Sequence, residues 1–209
     1  MSFIENISKS CAKWLASKVP NDKYPTVEDQ IEVFTYGFMV IVGALAKGII
    51  MVSLALILEV FIPAMVIMFT FSSLRIIAGG YHFAEYSKCV TFSTLQFIGS
   101  ALIAQYTLQY WSLTSTWYLL IFCILSAIYN IKKHIPRDTP NKPITKELEI
   151  KKFKRWSLYY LIAWASIMII FLLFDVKLFI ISSCFGLLLE LFSVSKVGYG
   201  IYAKLESWQ

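Results

Sequence analysis

The chain has 209 residues, a net charge of +6, 58% hydrophobic residues and only 15% charged ones. A soluble domain is about 25% charged, so an ordinary soluble enzyme and a nucleic-acid-binding protein are both excluded, and a single integral membrane domain over 1–209 is expected. The positive balance reads as membrane topology and contact with anionic lipid.

At the N-terminus, within a segment covering 1–30, Phe3, Ile4, Ile7, Cys11, Trp14, Leu15 and Val19 recur at helical spacing, with lysines on the other face. This predicts an amphipathic helix, either lying on a membrane surface or packed against the rest of the protein. Six apolar runs follow, over 34–58, 61–77, 90–110, 115–131, 157–174 and 178–194. Several are close to the lower length limit of about 17 residues for a spanning helix. The expected fold is therefore all-α, a polytopic membrane protein with six transmembrane helices. Pro63 suits the first turn of the second helix, where its missing N–H costs nothing.

Six spans place both termini on one side. All but Lys47 and Lys177 of the 19 lysines and arginines then fall on that side, including those of the basic loop 132–156. The positive-inside rule assigns that side to the cytoplasm. After Pro143, the stretch 145–155 reads as helical, with Thr145 as a possible cap. Cys123 and Cys184 lie inside apolar runs and read as small apolar fillers. The four cysteines form no disulfide framework.

The segment between the second and third runs, 75–89, contains Arg75, Gly79, Gly80, His82 and Cys89. On one unbroken helix Arg75, His82 and Cys89 would share a face, but the glycine pair favours a break or a close backbone approach. Either geometry can bring His82 and Cys89 together. A thiol needs deprotonation to act as a nucleophile, and an imidazole beside it can accept that proton. Arg75 would favour an anion, and backbone N–H groups near Gly79 and Gly80 could form an oxyanion site. Metal binding with His134 is a weaker alternative because few other ligands are at hand; no metal and no cofactor are expected. Glu28, Glu32 and Asp138 are candidates to orient His82. Lys47 and Glu190 fall inside apolar runs, where charges are usually paired, and are expected to pair with each other, within a protomer or across a dimer. If they instead mark a pathway, the chain would be a small membrane transporter or exporter of peptides.

The pattern R-x3-G-G-x-H-x6-C resembles the accessory gene regulator B (AgrB) family, membrane cysteine endopeptidases of Gram-positive quorum sensing. A second stretch, from Pro136 to Ile144, resembles that family's P-x-D-T-x-N-K-P-[IL] motif, with Arg137 where a small residue is more usual. The resemblance implies Cys89 as nucleophile, His82 as general base and Arg75 as an orienting residue. It also makes Asp138, Asn141 and Lys142 candidates for loop or substrate contacts. The implied partner is a precursor signal peptide with an amphipathic leader and an acidic tail. Its tail would be released and the remainder closed to a thiolactone or lactone. The basic loop would suit an acidic tail, or serve only as a topology signal. The resemblance further implies a multi-pass protein of a Gram-positive cell membrane, its active site cytoplasmic, acting as a homodimer within the lipid bilayer.

Overall fold

A computed structural model of the chain describes residues 3–20, 24–137 and 146–207. Among the described residues there are eight α-helices, a short 3-10 turn at Leu108–Tyr110 and no named strand; the only bridge pairs Gly79 with Arg137. The chain divides into two compact units, Met1–Ser53 and Leu54–Gln209.

The first unit holds α1, Phe3–Ala16, and most of α2, Val27–Ile57. The start of α2 is fixed by a reciprocal cap. The Asp29 N–H donates to Thr26 Oγ1 at 3.1 Å, and the Thr26 N–H donates to Asp29 Oδ2 at 3.1 Å. Two of the N–H groups left without helical partners at this end are thus satisfied within four residues.

The second unit contains α3 (Phe61–Ala78), α4 (Tyr86–Thr107), α5 (Leu113–Lys133), α6 (Glu147–Leu173), α7 (Lys177–Val194) and α8 (Lys196–Ser207). Pro63 lies in the first turn of α3, as its missing N–H requires. Ser112 caps α5 by accepting the Ser115 N–H at 3.1 Å. The helix α6 begins before the apolar run at 157 and continues unbroken through it. The Lys146 carbonyl receives the N–H groups of Glu149 and Ile150 at its start; the cap expected at Thr145 lies outside the described residues.

Helix α7 is central. Ile180, Ile181, Cys184, Leu187 and Val194 are fully buried, and Gly186 lets α3 approach closely. A Cβ added at Gly186 would stand 2.5 Å from the Ile67 carbonyl oxygen and 3.0 Å from Thr70 Cβ. Small residues permit such backbone proximity where no hydrophobic force separates helix from lipid. Beside this contact runs a polar ladder. Thr70 Oγ1 lies 2.9 Å from Ser183 Oγ, the Trp164 indole N–H donates to Ser183 Oγ at 2.7 Å, and the Tyr160 hydroxyl donates to the Thr70 carbonyl at 3.1 Å. Cys123 and Cys184 are both buried, and the Cys123 thiol faces the Cys184 carbonyl at 3.9 Å.

Among the described residues, five helices, not six, are long and apolar enough to cross a membrane: α2, α3, α5, α6 and α7. The apolar run at 90–110 does form a helix, α4, but Thr91, Ser93, Thr94, Gln96, Ser100 and Gln105 interrupt its hydrophobicity. With five such helices, an even span count no longer supports placing both termini on one side.

Candidate functional site

The segment joining α3 to α4 departs from helical geometry at the glycine pair. Gly79 has φ +78° and Gly80 φ +139°, values that L side chains rarely adopt. The Gly79 N–H still donates to the Arg75 carbonyl at 2.9 Å, so it is committed to ending α3. Arg75, His82 and Cys89 therefore do not form one helical stripe. Arg75 is in the last turn of α3, His82 is exposed on the non-helical stretch that follows, and Cys89 is half-buried in the first turn of α4. The Cys89 N–H donates to the Glu85 carbonyl at 3.1 Å.

The glycine pair also explains two close approaches. The Arg137 N–H donates to the Ala78 carbonyl at 2.8 Å, forming the bridge with Gly79, and the Arg137 carbonyl occupies the space a Gly79 side chain would need. The Arg137 guanidinium lies over the Tyr199 ring, 4.3 Å from its centroid, a cation–π arrangement. A Cβ at Gly80 would stand 2.5 Å from Ser193 Oγ and 2.9 Å from Arg75 Nη1.

Arg75 joins three parts of the fold. Its Nη1 lies 3.2 Å from Glu190 Oε2 and 3.1 Å from Ser193 Oγ on α7, and its Nη2 donates to the Tyr81 carbonyl. The sequence pointed to Lys47 as a partner of Glu190, within a protomer or across a dimer; the ion pair seen for Glu190 among the described residues is with Arg75 at the end of α3. Arg75 is thus occupied in holding the backbone next to His82, with its guanidinium already neutralised.

A second anchor comes from α8, which the sequence did not mark. The Tyr81 hydroxyl donates to the Glu206 carboxylate, the Ala84 N–H donates to Glu206 Oε1 at 2.5 Å, and Lys88 Nζ donates to the Glu206 carbonyl at 2.8 Å. The Tyr81 and Ala84 hydrogen bonds hold the Glu206 carboxyl below the usual carboxylate range. Burial, and then the Glu206 contact, push the Tyr81 phenol up. The Tyr81 ring lies 4.9 Å from that of Tyr199 and 5.6 Å from that of Tyr202, and Phe83 stacks on Phe92 at 5.1 Å. The only signal for Tyr81 was its place inside the first motif.

Asp138, Asn141 and Lys142 lie outside the described residues. Glu28, Glu32 and Lys47 are on α2 in the first unit. Among the described residues, no group of three or more His, Cys, Asp or Glu side chains gathers as a metal site.

A helical bundle with several helices long and apolar enough to cross a membrane, and a His–Cys segment fastened at one helix end, is consistent with a polytopic membrane protein. The chain belongs to the accessory gene regulator B family, whose sequence model matches residues 8–194. It is 28% identical over 160 residues to "Putative AgrB-like protein 2" of Clostridium perfringens (strain 13 / Type A), covering 75% of this chain and 71% of that protein. It is 25% identical over 159 residues to "Putative AgrB-like protein" of Clostridium perfringens (strain SM101 / Type A), with 75% and 71% covered. No solved structure matches.

Proposed function

We propose that this protein is a membrane cysteine endopeptidase that cuts the C-terminal tail from a peptide signal precursor and closes the remainder into a ring. The observation that carries this is the placement of Cys89 in the first turn of α4, directly after a non-helical segment that bears His82 and is tied down on both sides. The positive end of a helix dipole favours an anion at that turn, as a thiolate or the oxyanion of an acyl-transfer intermediate would require.

In the proposed reaction His82 takes the Cys89 thiol proton as Sγ attacks the scissile carbonyl. The tetrahedral intermediate collapses to a Cys89 thioester, and the proton passes to the departing amine of the tail. A Cys or Ser side chain within the bound peptide then gives its proton to His82 as it attacks the thioester carbonyl, and the leaving Cys89 sulfur takes that proton back, giving a thiolactone or lactone. Exchange of one thioester for another is nearly energy-neutral, so exclusion of water must let cyclisation outrun hydrolysis. Gly80 is the better oxyanion donor of the glycine pair, since the Gly79 N–H is taken by Arg75. The structural role of Arg75 is to position the His82 backbone.

The cytoplasmic face is proposed for this site on grounds that do not depend on the number of spans. The Gly79–Arg137 bridge brings the end of α3 beside the end of α5, where the basic stretch 132–155 begins. Positive-inside bias then assigns both to the cytoplasm, where a newly made precursor would meet them. An acidic tail suits the lysine-rich stretch electrostatically. A homodimer in a Gram-positive cell membrane belongs to the same proposal. The rival transporter role loses one of its two supports, since Glu190 is neutralised by Arg75.

The test is purified protein in lipid vesicles with a synthetic peptide that carries an amphipathic leader, a Cys or Ser ring residue and an acidic tail. Release of the tail with a trappable Cys89–peptide thioester is expected, and loss of both in Cys89→Ala with membrane insertion unchanged. Full tail release by Cys89→Ala would overturn the proposal.

A further inference from the structure

We infer that Glu206, near the end of α8, is a positioning residue that buckles the His82–Cys89 segment into its working geometry; this rests on the peptidase reading above. Residues 79–85 belong to neither flanking helix, and an unsupported stretch of this kind costs about 1–2 kcal/mol per residue to order. Glu206 holds it at three points. The Tyr81 hydroxyl and the Ala84 N–H, on either side of His82, both donate to its carboxylate, and Lys88, next to Cys89, donates to its backbone carbonyl. Arg75 grips the Tyr81 carbonyl from the opposite side. The His82 backbone is therefore clamped between a cation on α3 and an anion on α8.

The helix that carries the clamp is itself seated firmly. Ser195 caps it by accepting the Gly198 N–H at 3.0 Å. Gly198 packs so closely that a Cβ would stand 2.7 Å from the Phe192 carbonyl carbon. The buried Tyr202 receives a hydrogen bond from Gln96 on α4 and packs against Phe83 and Phe192 at 5.6 and 5.7 Å. α8 lies beyond residues 8–194, the part that the family's sequence model matches.

Two measurements on the full-length protein in lipid vesicles test this without a peptide substrate. The first is hydrogen exchange over 79–89. The second is the rate at which iodoacetamide alkylates Cys89 at pH 7, read from the Cys89-containing fragment by mass spectrometry. Glu206→Ala is expected to speed exchange in the segment by about tenfold or more, the worth of one charge-assisted hydrogen bond, while α3 and α7 stay protected. It is also expected to slow Cys89 alkylation about as much as His82→Ala does, with no further loss in the double variant. Glu206→Gln, which keeps the acceptor oxygen, should fall between Glu206→Ala and the parent, and Tyr81→Phe should reproduce part of the effect if Glu206→Ala fails to fold. Unchanged exchange and alkylation in Glu206→Ala and Tyr81→Phe would overturn the inference. If Glu206→Ala loosens the segment but His82→Ala leaves Cys89 alkylation untouched, the buckle stands and the peptidase reading fails.

Discussion

Arg75 on α3 and Glu190 on α7 form an ion pair at 3.2 Å whose acid is wholly buried and whose base is about one-fifth exposed, 20%. Among the described residues, Glu190 Oε1 meets no hydrogen-bond partner, so the pair with Arg75 engages only one of the two carboxylate oxygens. Burying an ion pair gives little net stability, but removing one partner strands a buried charge.

Arg75→Ala is accordingly expected to destabilise the protein by about 3–5 kcal/mol, seen as a lower unfolding temperature of the purified protein. Replacing both Arg75 and Glu190 with leucine should cost less than Arg75→Ala alone. Arg75→Lys should not restore the parent value, because one ammonium cannot reproduce the guanidinium's fixed fork to Glu190 and the Tyr81 carbonyl. Equal stability of Arg75→Ala and the parent would show that the pair is unimportant.

Gly79→Ala should prove costly and Gly99→Ala harmless. Gly79 combines positive φ with the Arg137 carbonyl in the space of its missing Cβ, whereas nothing lies within 4 Å of a Cβ at Gly99. Strain of this kind costs about 1–3 kcal/mol, and it should appear as faster proteolysis near Arg137 as well as a lower melting point. A neutral Gly79→Ala would mean the bridge to Arg137 is dispensable.

Gly186→Val tests the closeness of α3 and α7. Forcing a branched side chain against Ile67 and Thr70 is expected to cost about 1–3 kcal/mol and to part the Thr70–Ser183 hydrogen bond. Unchanged thermal stability would contradict the tight crossing.

His134, at the end of α5, gives a pH prediction. Burial first, then the nearby charges of Arg137, Lys133 and Lys196, lower its pKa from the ordinary value of 6.5. The unfolded chain therefore binds a proton more readily than the folded one. Stability attributable to this group is full above that ordinary value and falls as pH drops from it towards the lowered folded value. The parent should lose more stability than His134→Gln between pH 8 and pH 5 when melting temperatures are compared. A parallel decline in both would remove His134 as the cause.

Much of the local chemistry could be read along the chain. The glycine pair announced the break that separates Arg75, His82 and Cys89, because positive φ is a property of glycine itself. Pro63 marked the first turn of α3 for an equally local reason. The apolar run at 90–110 signalled a helix, and α4 forms there, but its polar residues keep it out of the set apolar enough to be candidate spans. Side-chain partner assignments were less legible: nothing along the chain marked Glu206 as the partner of Tyr81.

By itself the sequence determined the medium and the motif: a low-charge, apolar chain belongs in a bilayer, and a His and a Cys lie close in sequence beside a glycine break. Only the tertiary structure decided who holds that segment. Glu190 meets Arg75 across 115 positions of sequence and Glu206 meets Tyr81 across 125. Helical periodicity reports which side chains share a face within a few turns. It carries no information on which distant carboxylate the packing of α3, α7 and α8 brings to a guanidinium or a phenol. Those partners are set by helix crossing, and helix crossing here is set by contacts such as Gly186 against Ile67.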